Sequence, residues 1–310
     1  MNSSDVSVIV ATFNRSQKLL HCLDCLDKQT VHGFEVIVVN DGSTDSTADV
    51  LRSYNPKNFS FRGVNKHNDG RSLSRNRGAA EARGSILIFF DDDMRPFPEC
   101  IAEHLSLMET DGECISVGTQ EDDLSQAKND FDRFRCYIGK GWERVLEHPQ
   151  EDRPPYLTAA NFCIRKNTFN QLNGFDKLME VAEDFELGIR ANEMGLKVKY
   201  NAKARGWHDS WIGCDSFIRR EVEYYRSFLT VAAKHPAVTM GAPAVYRPGP
   251  GKKLAFNILS RRFFVPLVDR NFFTFVPRAL RYKFYDVLIT GLSKVYPARF
   301  TLQQPRNHGR

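Results

Sequence analysis

Short unbroken runs of apolar residues alternate with stretches of helical spacing through the first 120 positions. "VSVIVATF" (6–13), "FEVIVVN" (34–40), "FSFRGVN" (59–65), "SILIFF" (85–90) and "CISVG" (114–118) predict strands. Between them, 16–28, 46–54, 71–83 and 98–110 predict helices. Continuous rather than alternating hydrophobicity means strands covered on both faces. The βαβα order then predicts a mostly parallel sheet flanked by helices, an α/β architecture of the nucleotide-binding type. In such sheets ligands bind outside the carboxyl ends of the strands. Polar residues stand at three of those ends: Thr12 and Asn14, then Asp41, then Asp91, Asp92 and Asp93.

Further on the pattern is less regular. Residues 120–155 are polar and end in a double proline, which predicts an irregular excursion with some helix, suited to a mobile lid. Residues 156–165 read as extended, "KNTFNQLNGFD" as a short helix closed by Gly174, and "VAEDFELGIRANEMG" as a helix stopped at Gly195. Two short extended pieces, "KVKY" and "ARGWH", follow. The expected organisation is a catalytic domain over 1–212 and a helical, basic, aromatic extension over 213–310.

A chain of 310 residues, 42% hydrophobic and 26% charged, can bury one large core and an appendage. Its net charge of +5 is unevenly spread. From Lys252 onward twelve Lys and Arg face only Asp269 and Asp286, so the rest of the chain is net acidic. Leu280, Phe284, Val287, Leu288, Leu292 and Val295 fall on one helical face there, with Arg278, Arg281, Lys283 and Lys294 outside or beside it. Such a stripe suits peripheral contact with an anionic membrane through residues 256–300. It suits equally a packing face on the catalytic domain or in a homo-oligomer. No nucleic-acid-binding motif accompanies it. The N-terminus lacks a basic stretch followed by an apolar one, and no apolar run approaches about 18 residues, so the expected location is cytoplasmic, with contact at the inner membrane face. Seven cysteines in apolar surroundings predict reduced thiols, the Cys22 and Cys25 pair included.

"ILIFFDDDMRP" (86–96) sets three carboxylates behind a buried strand. Like charges this close require a metal ion, arginines or water among them. The spacing of Asp91 and Asp93 suits a hard divalent cation such as Mg2+ or Mn2+, with a phosphate completing its shell. Glu183, Asp184 and His208 are the remaining candidates.

The ordered blocks "VSVIVATFNR", "VIVVNDGSTDST", "LSRNRGAAEARGSILIFFDDD", "NGFDK…AEDFELGIRANEMG" and "RGWH" resemble the inverting nucleotide-sugar glycosyltransferases of family 2, with the GT-A fold. The likeness covers roughly residues 5–210. It implies a nucleotide-diphosphate sugar donor, UDP-linked on family frequency, with thymine and guanine left open. It also implies an acceptor hydroxyl on a glycan, a lipid-linked glycan or a small molecule. Thr12 and Asp41 then correspond to contacts with base and ribose, and Arg71 to a base or phosphate contact. Asp91 corresponds to the first member of the D-x-D motif, at the ribose or an outer-shell water, and Asp93 to the metal ligand. His208 corresponds to a histidine on metal or diphosphate, and Asp184 to the general base. Two other readings compete. A phosphatase of the haloacid-dehalogenase kind also uses an Asp pair behind a strand, but wants Thr or Val where Arg95 stands. A non-catalytic nucleotide-sugar-binding subunit would have no use for Asp93, Asp184 and His208.

Overall fold

A computed structural model describes residues 3–147, 156–179, 181–236 and 248–301. The chain divides into two compact units, Met1–Asp123 with Trp142–Ser210, and Leu124–Gly141 with Trp211–Arg310. The strands are β1 (Val6–Thr12), β2 (Glu35–Asn40), β3 (Ser60–Asn65), β4 (Ile86–Asp91), β5 (Met94–Pro96), β6 (Cys114–Glu121), β7 (Asn161–Arg165) and β8 (Lys197–His208). They form one sheet in the first unit, in the order β3-β2-β1-β4-β7-β6-β8-β5. The strands β3, β2, β1 and β4 pair in parallel, as do β6 and β8, while β7 and β5 run antiparallel to their neighbours. The helices are α1 (Ser16–Leu26), α2 (Thr47–Ser53), α3 (Arg71–Glu81), α4 (Cys100–Asp111), α5 (Asp130–Glu147), α6 (Lys166–Gln171), α7 (Glu183–Glu193), α8 (Cys214–Lys234), α9 (Pro250–Leu259), α10 (Val265–Asp269) and α11 (Arg278–Thr290).

The unbroken apolar runs have the predicted cause. Along β1, Val8 and Val10 pack with Leu19, Leu23 and Ile101 on one side of the sheet. Ile9 between them packs with Ala79, Phe162 and Leu187 on the other. Both faces are covered, so the strand does not alternate between apolar and solvated positions, and the one early polar residue, Ser7, is buried with its hydroxyl on Glu35 at 2.5 Å. On α3, a Cβ at Gly78 would collide with the Ile9 side chain, which is why that helix can lie so close to β1.

Two departures from the sequence pattern matter for the site. "KVKY" and "ARGWH" belong to one strand, β8, because the polar break between them is satisfied internally. Buried Asn201 donates its amide to the Glu103 carbonyl at 2.9 Å. The extra residues are absorbed by a register shift against β6 between Gly118 and Thr119. The three-residue strand β5 has no sequence signature at all. It pairs with the end of β8, setting Met94 opposite His208.

In the second unit, Phe131 and Phe134 of α5 pack with Ile218, Tyr285, Leu288 and Leu292. The stretch 120–155, expected to be an irregular excursion with some helix and suited to a lid, contains the helix α5, whose first turns are core; residues 148–155 lie outside the described part. The tail stripe is also rotated from its predicted position. The buried face of α11 is Arg281, Tyr282, Tyr285, Leu288 and Ile289, and Leu280 is 61% exposed. The reason is a partner distant in sequence. Arg281 grips Asp130 with two hydrogen bonds of 2.6 and 2.7 Å, and donates to the carbonyls of Thr274 and Val276. Tyr285 adds a hydroxyl to the same carboxylate at 3.0 Å. Among the described residues no helix is long and apolar enough to cross a membrane, and all seven cysteines are free thiols.

Removing the carboxylate leaves Arg281 buried without a counter-charge. Asp130→Ala is expected to lower stability by about 3 kcal/mol in urea denaturation, and the double variant with Arg281→Met to recover much of it.

Candidate active site

The site collects at one rim of the sheet. Thr12 lies at the carboxyl end of β1, opposite Asn40 of β2, and Ala11 of β1 lies opposite Asp91 at the end of β4. The β5–β8 pairing brings the imidazole of His208 to Asp93, with Nε2 3.2 Å from Oδ1. The ladder continues beyond it, as the Asp209 N–H donates to the Asp93 carbonyl at 2.8 Å. One ligand atom each from Asp91, Asp93 and His208 lies within 4.8 Å of the others.

Among the described residues, the protein's own cations answer much of the repulsion within the aspartate run. Arg15 Nη1 bonds Asp92 at 3.0 Å and Asp93 at 2.9 Å, and Lys18 Nζ stands 3.4 Å from Asp93. Arg75 donates to Asp91 at 2.6 Å and to Glu183 at 2.5 Å. Burial works to raise the carboxyl of Asp91, but the Arg75 guanidinium holds it below its usual range. Burial opposes ionisation of Asp93 too, yet His208, Arg15 and Lys18 hold it far lower. Asp92 goes the other way. Burial and the charge of Asp93 push it up to about 6, against Arg15 and the Thr12 hydroxyl, which donates to it at 2.7 Å.

A metal ion belongs to the chemistry that the D-x-D resemblance implies, and the residues fit one. Asp93 Oδ1 is buried, and the His208 Nε2 faces it at 3.2 Å. Two carboxylates and an imidazole are a donor set suited to Mn2+ or Mg2+.

Asp184 stands in the first turn of α7, beyond Ala182, whose left-handed φ of 63° turns the chain sharply into the helix. It is half-buried, and accepts hydrogen bonds from the N–H groups of Ala159 and Phe185 at 2.9 and 2.8 Å. Burial and the neighbouring Glu183 charge push its carboxyl up to about 6. Glu183 itself is buried on Arg75. Arg75 thus ties the strand end bearing Asp91 to the helix head bearing Asp184.

Asp41 adjoins this cluster through Thr12, whose carbonyl accepts the Asp41 N–H at 2.9 Å. Asp41 is buried and accepts from Lys66 and from the N–H groups of Asp69 and Gly70, both at 3.0 Å, so it shapes the loop into α3. Arg71 opens that helix, exposed, with no ion pair among the described residues. Sequence reasoning passed over Arg15, Lys18 and Arg75. A usable signal existed for two of them: Arg15 stands immediately before α1 and Lys18 in its first turn, with no acidic residue there to answer the helix dipole. Cations there imply anionic partners.

The family model described as Glycosyl transferase family 2 matches residues 7–172, more than half of the chain. The chain belongs to this family. Among its curated relatives, the uncharacterized glycosyltransferases EpsJ and YfnE of Bacillus subtilis are 35% and 34% identical to it over 203 and 207 residues. Those alignments cover 63% and 66% of this chain, and 58% and 50% of the relatives, so the chain spans about half the length of the family members it matches. Its fold is that of GT-A enzymes. The mannosyltransferase PcManGT from Pyrobaculum calidifontis, in complex with GDP-Man and Mn2+, superposes with a TM-score of 0.60 at 16% identity, covering 97% of this chain and 88% of that one. S. aureus TarS in complex with UDP-GlcNAc gives 0.52 at 17% identity, covering 96% and 93%.

Because Arg75 is 4% exposed and answers two carboxylates, Arg75→Met is expected to cost about 3 kcal/mol or more in chemical denaturation. A loss below about 1 kcal/mol would mean that the bridge does not hold the rim together.

Proposed function

We propose that the chain transfers a sugar from a nucleoside diphosphate donor to a hydroxyl acceptor with inversion at the anomeric carbon, assisted by a divalent cation. The observation that carries this reading is the convergence of Asp91, Asp93 and His208 at the strand ends, joined through Arg75 to the helix head that bears Asp184. Family membership supports the reaction class, and sets aside the phosphatase alternative.

Asp93 and His208 would hold Mn2+ or Mg2+, with Asp91 at the ribose or a coordinated water, and the ion would stabilise negative charge on the departing diphosphate. Asp184 accepts the proton of the acceptor hydroxyl as that oxygen attacks C1 from the face opposite the leaving group. A carboxyl near 6 is ionised at neutral pH yet basic enough to take a proton, which suits the task. Thr12 and Asp41 serve the base and ribose, with uracil the assigned base, and Arg71 serves base or phosphate. Both Thr12 and Asp41 already hold protein partners, but a hydroxyl and a carboxylate each keep acceptor capacity for a ligand. The acceptor is a glycan, a lipid-linked glycan or a small molecule. Peripheral membrane contact through residues 256–300 and a homo-oligomer belong to the same proposal.

The direct test is a thermal-shift panel of uridine, thymidine and guanosine diphosphates and their sugars, with and without Mn2+, followed by product analysis on the best donor. A uridine nucleotide with Mn2+ is expected to stabilise the wild type, and Asp93→Ala to lose the metal-dependent part. Equal shifts without metal would refute the metal role. Turnover should fall as pH drops through about 6, where Asp184 takes up a proton and ceases to be a base. Asp184→Asn is expected to cut turnover by about 10²- to 10⁴-fold while leaving the donor-induced shift intact. Near-normal turnover in that variant would remove Asp184 from the mechanism. Donor binding without any turnover in the wild type would favour the non-catalytic subunit.

A further inference from the structure

The second unit carries an exposed surface that its core does not account for. The 3-10 turn Phe272–Phe275 leaves Phe272 56% and Phe275 75% exposed, and Leu280 follows at 61%. The two rings touch one another, with centroids 5.9 Å apart, and Phe272 also meets Phe273, whose ring continues inward to Phe264 and Phe284. The turn is thus anchored from behind while its outer side chains face water. Clustered large apolar groups of this kind mark a contact surface rather than scattered exposure.

The charges around the turn have one sign. Arg270 precedes it, Arg278 follows it, and neither has an ion-pair partner among the described residues. A groove of about 710 Å³ opens beside it, lined by Leu124, Arg133, Tyr137, Lys140, Arg278 and Tyr282. Arg133 and Lys140 are likewise exposed and unpaired among the described residues. The nearby carboxylates are otherwise engaged: Asp130 by Arg281, and Asp269 by the Cys214 N–H at 2.7 Å. Asp286 on α11 is exposed, eight residues beyond Arg278.

Exposed phenylalanines flanked by unpaired cations complement a surface that is apolar a few ångströms below a layer of anions. We propose that this face docks on an anionic lipid bilayer: Phe272, Phe275 and Leu280 enter the boundary between headgroups and acyl chains, and Arg270, Arg278, Arg133 and Lys140 meet lipid phosphates. The inference refines the membrane contact named above: it keeps Leu280 of the predicted stripe, leaves out the buried Leu288 and Leu292, and adds the turn before α11. It rests on no step of sugar transfer, so vesicle binding and nucleotide release are read independently.

The test is flotation of the full chain with vesicles of phosphatidylcholine alone or mixed with phosphatidylglycerol. Binding is expected only to the anionic vesicles, and to weaken as salt rises. The triple variant Phe272→Ser, Phe275→Ser, Leu280→Ser is expected to bind at least about tenfold more weakly, and Arg270→Glu with Arg278→Glu to lose binding as well. Thermal unfolding and donor-induced stabilisation should stay at wild-type values in both. Three results would overturn the proposal: no flotation of the wild type with anionic vesicles, wild-type flotation of the triple variant, or a sedimentation mass that halves in that variant, which would make the face a contact between two copies.

Discussion

One guanidinium holds the candidate site in its present form. Arg75 is buried beneath the rim of the sheet and divides its charge between Asp91, at the end of β4, and Glu183, at the head of α7. Two pairs of adjacent carboxylates, Asp91 with Asp92 and Glu183 with Asp184, would otherwise repel within their own turns. Arg75 reaches Asp91 and Glu183 directly, and its guanidinium holds the Asp91 carboxyl below its usual range. Asp184 is held instead by the N–H groups of Ala159 and Phe185, and burial together with the Glu183 charge raises its carboxyl to about 6. The rim therefore carries a lowered carboxyl at the strand end and a raised one, able to take a proton, at the helix head.

Much of the sheet was legible because its cause is local. A strand covered on both faces must be apolar at consecutive positions, and β1, β2 and β4 satisfy that in their own residues. β8 was harder to read because Asn201 is polar, yet its partner is the Glu103 carbonyl, about a hundred residues away in sequence. β5 is three residues long and exists by pairing with β8, so periodicity carries no trace of it. The same holds for the register of α11: Arg281 looks like a solvated cation until Asp130 is known to face it. Local pattern reports which side chains need burial. It does not report which charged ones have found a partner.

For the candidate site the division is similar. Three polar strand ends on one sheet edge pointed to Asp91, Asp93 and the region around them, since fold topology alone collects those positions. The spacing left metal, arginines and water all open as the answer to the aspartates' mutual repulsion. The structure supplies Arg15, Lys18 and Arg75, and brings His208 to within 3.2 Å of Asp93 Oδ1. Arg15 and Lys18 stand at the start of α1, where the dipole should disfavour cations, and that mismatch was the overlooked sign for those two; Arg75 lies in the second turn of α3 and carries no such mark.

The cations at the rim are not equivalent, and the difference bears on how a charged ligand could enter. Arg75 is buried, and breaking its pair with Glu183 would strand a buried carboxylate. Arg15 and Lys18 have side chains 46% and 35% exposed while their partners Asp92 and Asp93 are buried, so these pairs open to solvent on the cationic side only. An anion arriving beside Asp93 would be repelled by the carboxylates and would have to displace the three contacts that Arg15 and Lys18 make there. A divalent cation at Asp93 and His208 would remove the reason for them altogether, freeing two positive side chains within reach of the same place. Entry of cation and anion together is then an exchange of partners that leaves Arg75 untouched. The rigid bridge and the loose pair thus divide the work: one maintains the shape of the rim, the other allows its charge to be rearranged.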